Sequence, residues 1–119
     1  MRPLFERIAL IGIGLIGSSL SHVIRREKLA GHISAHARSA ATRSKAMALG
    51  LADSMHDTSA EAVQDADLVI LCSPVGAYRS IAKEIGPHLK EGAIVSDVGS
   101  VKTAVVRDVT PHLPKHVHF

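Results

Sequence analysis

Three glycines near the start of the chain have the spacing needed for chemistry on a phosphate. Gly12, Gly14 and Gly17 form a G-x-G-x-x-G pattern that follows an apolar run and precedes a segment with helical periodicity. In that context the first glycine makes a tight turn, the second lets backbone approach a pyrophosphate, and the third lets helix and strand pack closely. The N–H groups of the helix N-terminus then face the phosphates. The pattern predicts a dinucleotide site that includes the intervening Leu15 and Ile16.

The residues about twenty positions past the glycines distinguish two cofactors. NAD sites place an acid there, which binds the ribose hydroxyls. This chain has Ala37 and Arg38, followed by Ser39, Thr42 and Arg43. A guanidinium with hydroxyl neighbours attracts a 2′-phosphate, which an acid would repel. We therefore expect NADP to be favoured, with NAD possible; the alternative is an exposed Arg38 beside a loosely held adenosine.

Two further segments follow apolar runs. Cys72, Ser73, Pro74 and Val75 end one of them, and backbone at this point can line the ribose and nicotinamide. Cys72 has no basic neighbour in sequence, which favours a buried strand residue over a nucleophile. The other segment is SDVGSVK at 96–102, where a glycine permits a sharp turn before Ser100. Taken alone, Ser100 fits a helix N-cap.

Strands and helices that alternate along the chain position these residues. Strands are predicted at 7–12, 32–37, 66–72 and 93–96, with the start of another at 117–119. Helices are predicted at 15–28, 40–49, 76–89 and 100–110, with a short one after a Thr58–Glu61 capping box. Alternation predicts an α/β fold, a doubly wound parallel sheet of the Rossmann type with strand order 3-2-1-4-5. Ligands of such sheets bind at the carboxyl ends of the strands.

Two of these helices have apolar faces that predict how they pack. Ile16, Leu20, Val23 and Ile24 share one face of the first helix, and Ala77, Ile81, Ile85 and Leu89 share one face of the helix at 76–89. In the last helix Val101, Ala104, Val105 and Val109 are predicted to point inward. These stripes are expected to cover the sheet.

Composition and charge exclude several classes of protein. A single cysteine gives no disulfide framework and suits the cytoplasm, and 3% aromatic residues without Trp argue against nucleic-acid stacking. Residues 8–24 are too short and too interrupted for a membrane span. The eight histidines match no common metal spacing, so no metal is expected. Residues 1–50 carry eight Lys or Arg against two acids, which fits a phosphate ligand and equally a solvated surface.

Three motifs together resemble the amino-terminal domain of the prephenate dehydrogenase family, which includes arogenate and cyclohexadienyl dehydrogenases. They are GIGLIGSSL at 12–20, CSPV at 72–75 and SDVGSVK at 96–102, in the family's order and spacing. The resemblance implies NAD(P)-dependent oxidative decarboxylation of prephenate or arogenate in tyrosine biosynthesis. It also implies that Ser100 is catalytic, beside the substrate hydroxyl and the nicotinamide, and that Ser73, Pro74 and Val75 form the wall on the nicotinamide side.

The sequence departs from the family at its end. The family's catalytic histidine lies in a His-Pro motif shortly after the strand that begins near Val117, and this sequence stops at Phe119. The family's helical second domain, which supplies substrate contacts and a homodimer interface, also falls outside it. We therefore expect residues 1–119 to be the dinucleotide-binding domain of a longer protein, binding dinucleotide weakly and unable alone to turn over substrate.

Two other functions remain open from the sequence. Other two-domain dehydrogenases, acting on β-hydroxyacids, imines or pyrroline carboxylates, begin with a similar glycine turn but lack DVGSVK. A nucleotide-sensing domain without chemistry would bind the same cofactor and would not need the Gly-Ser turn at 99–100.

Overall fold

The computed structural model describes residues 3–98 and 109–118, which contain one parallel sheet with helices on both faces. The strands are β1 (Phe5–Ile11), β2 (Ala30–His36), β3 (Ser54–His56), β4 (Leu68–Leu71) and β5 (Ile94–Asp97). The helices are α1 (Gly14–Arg26), α2 (Ala40–Ala48), α3 (Ser59–Ala62) and α4 (Tyr78–Ile85). Single 3-10 turns lie at Val75–Ala77, Gly86–His88 and Thr110–His112.

The strand order is β3-β2-β1-β4-β5, and every pair is parallel. This confirms the doubly wound Rossmann-type fold and the order 3-2-1-4-5, with β1 in the interior of the sheet. The strand in the third position, Ser54–His56, is not one of the predicted strands. The apolar run at 66–72 consequently forms the fourth strand, beside β1, with the glycine turn at the point where strand order reverses.

Side chains of β1 alternate between two cores, one on each face of the sheet. Ala9 and Ile11 pack against α3 and α4, and Ile8 and Leu10 pack on the face that α1 and α2 cover. All four are essentially inaccessible to solvent. A strand that is buried on both faces is expected in a parallel sheet flanked by helices. The strand that leads into the glycine turn is therefore held rigidly.

The prediction of which residues form the buried face of α1 is partly wrong. Ile24 is buried, but Val23 is 37% exposed. Ser21 is buried instead, and its hydroxyl donates a hydrogen bond to the Leu51 carbonyl. A small polar side chain can occupy a core position when its hydroxyl has an acceptor, and apolar periodicity does not detect this arrangement.

The buried face of α4 is also rotated from its predicted position. Tyr78, Ala82 and Ile85 are buried, whereas Ala77 and Ile81 are only partly so. The 3-10 turn at Val75–Ala77 precedes α4 and has three residues per turn, so it shifts the phase that a continuous α-helix would have. Ile81 therefore lies at the edge of the core, where its side chain reaches a cavity described below.

The predicted helix at 100–110 lies mostly outside the described residues. Val109, within them, is buried as predicted. The strand predicted to begin at Val117 is supported by an isolated parallel bridge between His118 and Ile94 of β5. Among the helices of residues 3–98 and 109–118, none has the length and apolar character needed to cross a membrane.

Candidate functional site

The glycine turn joins β1 to α1 and is tied to both neighbouring strands. Gly12 has φ +92°, and a Cβ built on it would lie 2.5 Å from Ser73 Oγ and 2.9 Å from Ser73 N. Its own N–H donates to the His36 carbonyl at 2.8 Å. Ser73 Oγ donates to the Ile11 carbonyl at 3.1 Å. Backbone from β1, β2 and β4 thus converges on a residue that cannot carry a side chain.

The next two predicted glycines differ in their surroundings. Gly14, the first residue of α1, has φ +40°, and a Cβ built there would meet no heavy atom of the described chain within 4 Å. Gly17 is buried, and its Cβ would lie 2.9 Å from the Gly12 carbonyl oxygen. Gly14 therefore presents bare backbone to open space, whereas Gly17 permits the close contact between α1 and the turn.

The N-terminus of α1 is suited to a negatively charged group. Ile13 is its N-cap residue and offers no side-chain hydrogen bond, and no acid lies in the first turn. Leu15 and Ile16 lie in that turn, so their backbone belongs to the helix N-terminus as predicted. Unsatisfied N–H groups and the positive end of the helix dipole attract anions. A pyrophosphate placed outside Gly14 would meet both.

The end of β2 carries the residues predicted to select the cofactor. Ala37 is buried, and Arg38 is exposed and lines a cavity. Within residues 3–98 and 109–118 the Arg38 guanidinium has no hydrogen bond or ion pair. It is therefore a cation available to a ligand, at the point where the ribose-binding acid of NAD sites would lie.

The neighbours of Arg38 have structural contacts that the sequence does not indicate. Ser39 is the N-cap of α2: its Oγ accepts from Thr42 N at 3.0 Å and donates to Thr42 Oγ1 at 2.8 Å. Arg43 Nη1 donates to the carbonyls of Ala37 (2.7 Å) and Arg38 (3.2 Å). Arg43 therefore fixes the loop between β2 and α2, and the Thr42 hydroxyl keeps its own proton for donation.

A cavity of about 580 Å³ extends from the glycine turn past Arg38 to α3 and α4. Its lining combines backbone of the turn, the end of β2 and one face of α4. The lining residues are Ile11, Gly12, His36, Arg38, Ser59, Ser73, Pro74, Gly76, Ala77, Ser80, Ile81 and Glu84. The volume is in the range of small-molecule and cofactor sites.

The sequence analysis did not identify several of these lining residues as site residues. Ser80, Ile81 and Glu84 share one face of α4 by their spacing and line the cavity, with Ile81 also packed against the core. The signal that could have found them is a second, mixed stripe on the helix that follows the Ser73-Pro74 strand end. His36, which sequence analysis left without a role, lines the cavity and bonds through Nδ1 to the His56 carbonyl at 2.9 Å.

The segment after β4 divides into cavity and core residues. Ser73 and Pro74 line the cavity, and Val75 lies in the following 3-10 turn; their place in a cofactor wall stays a prediction. Cys72 is not among the lining residues and packs on the α1 face of the sheet. Burial raises the pKa of its thiol to about 11, so the thiolate is scarce at neutral pH. Cys72 is a structural residue in this arrangement.

A tyrosine that sequence analysis overlooked joins the ends of β4 and β5. Tyr78 is fully buried, and its hydroxyl donates at 2.9 Å to the Leu71 carbonyl, which also accepts from Val98 N–H at 3.3 Å. Burial, with the Asp97 carboxylate nearby, raises the pKa of this hydroxyl. Ser100, the predicted catalytic residue, lies outside the described residues. Val98, two residues before Ser100, shares the Leu71 carbonyl with Tyr78 as hydrogen-bond acceptor.

The described part of the chain offers no set of side chains that could bind a metal ion together. Residues 3–98 and 109–118 contain no group of three or more His, Cys, Asp or Glu side chains arranged to hold a metal ion. Among the described residues, the candidate site is an open anion-binding turn joined to a cavity that the Arg38 guanidinium lines, a geometry suited to an extended phosphorylated ligand.

Comparison with known proteins matches this domain over nearly its whole length. A family model described as prephenate dehydrogenase, nucleotide-binding domain, matches residues 20–119. The chain is 40% identical over 113 residues to a cyclohexadienyl dehydrogenase of Zymomonas mobilis, covering 95% of this chain and 39% of that protein. It therefore spans about two fifths of this relative's length.

Solved structures of prephenate and arogenate dehydrogenases are also similar to this chain. A prephenate dehydrogenase from Aquifex aeolicus, crystallised with hydroxyphenyl propionate and NAD+, superposes with a TM-score of 0.84 at 32% identity; the match covers 94% of this chain and 40% of that one. An arogenate dehydrogenase from Synechocystis superposes with a TM-score of 0.81 at 32% identity, covering 89% and 37%. The similarity is confined to the same part of each protein.

Proposed function

This chain belongs to the prephenate dehydrogenase family, as its nucleotide-binding domain, and from that premise we propose that it holds the dinucleotide in a longer, two-domain enzyme. The parent oxidises prephenate or arogenate, passing a hydride to the nicotinamide as carbon dioxide leaves and the ring becomes aromatic. Because aromatisation drives the step, the protein chiefly orients substrate and cofactor and manages one proton.

The observation that carries the proposal is the glycine turn. Gly12 is closed in by the backbone of Ser73, whereas Gly14 faces open space at the N-terminus of α1. This arrangement leaves room for a pyrophosphate at one place, against bare backbone and free N–H groups. From there the adenosine extends past Arg38 into the cavity, and the nicotinamide lies towards Ser73, Pro74 and Val75. The Aquifex relative, crystallised with NAD+, supports a cofactor of this class.

The preferred cofactor is NADP. Ala37 is buried at the place of the ribose-binding acid, so no carboxylate repels a 2′-phosphate there. The free guanidinium of Arg38 pairs with that phosphate, while Arg43 holds the loop through its bonds to backbone carbonyls. Thr42 donates its hydroxyl proton to the phosphate, and Ser39 positions Thr42 by accepting its N–H. Charge-assisted bonds of this kind contribute about 1.5–3 kcal/mol each.

The remaining parts of the enzyme follow from family membership. Ser100 lies beside the substrate hydroxyl and the nicotinamide and is the catalytic residue of this domain. The proton acceptor is the histidine of the family's His-Pro motif, shortly after the strand that begins near Val117, and the substrate contacts and a homodimer interface belong to the second domain. The substrate is a small molecule, prephenate or arogenate. These assignments are tested by assaying the full-length parent with both substrates and both cofactors; cofactor binding without turnover of either would favour a sensing domain.

Calorimetry on the 119-residue chain tests the cofactor site. We expect NADP to bind ten- to a hundredfold more tightly than NAD. Arg38→Ala should remove that preference, and Ala37→Asp should reverse it. Lys45→Ala, which removes an equal charge from α2 outside the cavity, should leave the ratio unchanged. Equal affinities in the unmodified chain, or an unchanged ratio in Arg38→Ala, would contradict the NADP preference.

A further inference from the structure

The cavity contains one acid among its described lining residues, and the proposed function assigns it no role. Glu84 lies on α4 and lines the cavity together with Ser80 and Ile81. A carboxylate repels every phosphate of a dinucleotide, so its presence here restricts which part of the cofactor can lie against it.

A backbone contact fixes where this carboxylate lies. Glu84 Oε2 accepts a hydrogen bond from Ala60 N–H at 2.9 Å. Ala60 belongs to α3, which follows β3, the outermost strand on that side of the sheet. The neighbouring Ser59 also lines the cavity. Glu84 therefore lies at the end of the cavity next to α3, whereas the glycine turn lies at the end next to β1 and β4.

The order of groups in a dinucleotide decides what reaches that end. The pyrophosphate lies at the glycine turn and the adenosine ribose at the end of β2, beside Arg38. The base is the next group along, and it is uncharged. Its exocyclic amine is a hydrogen-bond donor, for which a carboxylate is a strong acceptor. Ile81, partly buried on the same face of α4, supplies apolar surface for the ring.

We propose that Glu84, oriented by Ala60 N–H, accepts a hydrogen bond from the exocyclic amine of adenine and so makes the site specific for adenine dinucleotides. The inference rests on the proposed dinucleotide function and adds a specificity-determining residue to it. The bond to Ala60 leaves further acceptor sites on the carboxylate, which has about four in all.

The test compares two ligands that differ only in this amine. One is NAD, and the other is its purine analogue, in which a hydrogen replaces the amino group. Affinities are measured by calorimetry on the 119-residue chain and on Glu84→Gln. Glutamine can still accept from Ala60 N–H through its amide oxygen, but it then turns an NH2 donor towards the base. Glu91→Gln, an exposed position outside the cavity, is the matched control.

We expect the unmodified chain and Glu91→Gln to bind NAD about five- to tenfold more tightly than the purine analogue. In Glu84→Gln the two affinities should become equal, with an unchanged melting temperature. Equal affinities in the unmodified chain, or an unchanged ratio in Glu84→Gln, would overturn the assignment. So would a change in the NADP-to-NAD ratio alone, which would place Glu84 at the ribose. Failure to bind either dinucleotide would instead overturn the proposed function, and this inference with it.

Discussion

Replacing Gly14 by alanine separates the binding role of the glycine turn from its contribution to stability. Gly14 has φ +40°, and a Cβ there would contact no described atom within 4 Å. The stability cost is therefore the backbone strain alone, about 1–2 kcal/mol for an L-residue in the left-handed region. In a domain of this size that lowers the melting temperature by roughly 4–8 °C.

The effect on binding should be much larger than that strain. The new methyl group occupies the space in which a pyrophosphate would meet the N-terminus of α1. Loss of one or two charge-assisted bonds to backbone N–H groups weakens dinucleotide binding about ten- to a hundredfold or more. Calorimetry with NADP and thermal unfolding monitored by circular dichroism measure the two effects on the same sample.

Gly50 provides the matched control. Gly50 follows α2 and has φ +69°, and a Cβ built on it would contact no described atom within 4 Å. Gly50→Ala therefore introduces similar backbone strain at a position outside the cavity. We expect the same loss of melting temperature and unchanged affinity. Gly12→Ala should lower both the melting temperature and the affinity for NADP by more than Gly14→Ala does, because its Cβ would lie 2.9 Å from Ser73 N. If Gly14→Ala bound NADP as tightly as the unmodified chain, the pyrophosphate would not lie at this turn.

Two further predictions concern the sheet. The Lys90 ammonium, with backbone N–H groups, holds the pKa of Asp67 below its ordinary value despite partial burial. The stabilisation from the Asp67 carboxylate is therefore full above about pH 4 and is lost as pH falls through the lowered pKa. Asp67→Asn should lower the melting temperature at pH 7, and by progressively less as pH falls below about 4. Tyr78→Phe leaves the buried Leu71 carbonyl without this donor and should lower stability to urea by about 1–2 kcal/mol; no change would mean that Val98 N–H satisfies that carbonyl alone.

Four of the five strands were predictable because their signals are local. Each long apolar run is followed by turn residues, and the glycine pattern identifies the strand at the switch point. Ser54–His56 was not predictable in this way. It is a three-residue strand of partly buried residues, and it pairs only with β2. A short edge strand without an apolar run resembles a loop in sequence, although the sheet requires it for the order 3-2-1-4-5.

The site was predictable at the strand ends and not between elements. Gly12, Arg38 and Ser73 follow strands and lie together as expected. Glu84 lies on a mixed stripe of α4 that a helical pattern can reveal, but its hydrogen bond to Ala60 N–H joins α4 to α3, which no local pattern reveals. Arg43 follows the residues predicted to bind a 2′-phosphate, and backbone carbonyls six and five residues before it accept its hydrogen bonds. Such partners are invisible to a pattern of side-chain types.

The central place of β1 has a consequence for how the chain folds during synthesis. One edge of β1 pairs with β2. Its other edge pairs with β4, which is synthesised about 60 residues later. Until the ribosome has released β4, an apolar strand with an unpaired edge is exposed. Fragments that end before residue 71 should therefore self-associate or engage chaperones that bind extended apolar segments. Once β4 is complete, both edges of β1 can be paired, and the nascent chain no longer aggregates through the free edge of β1.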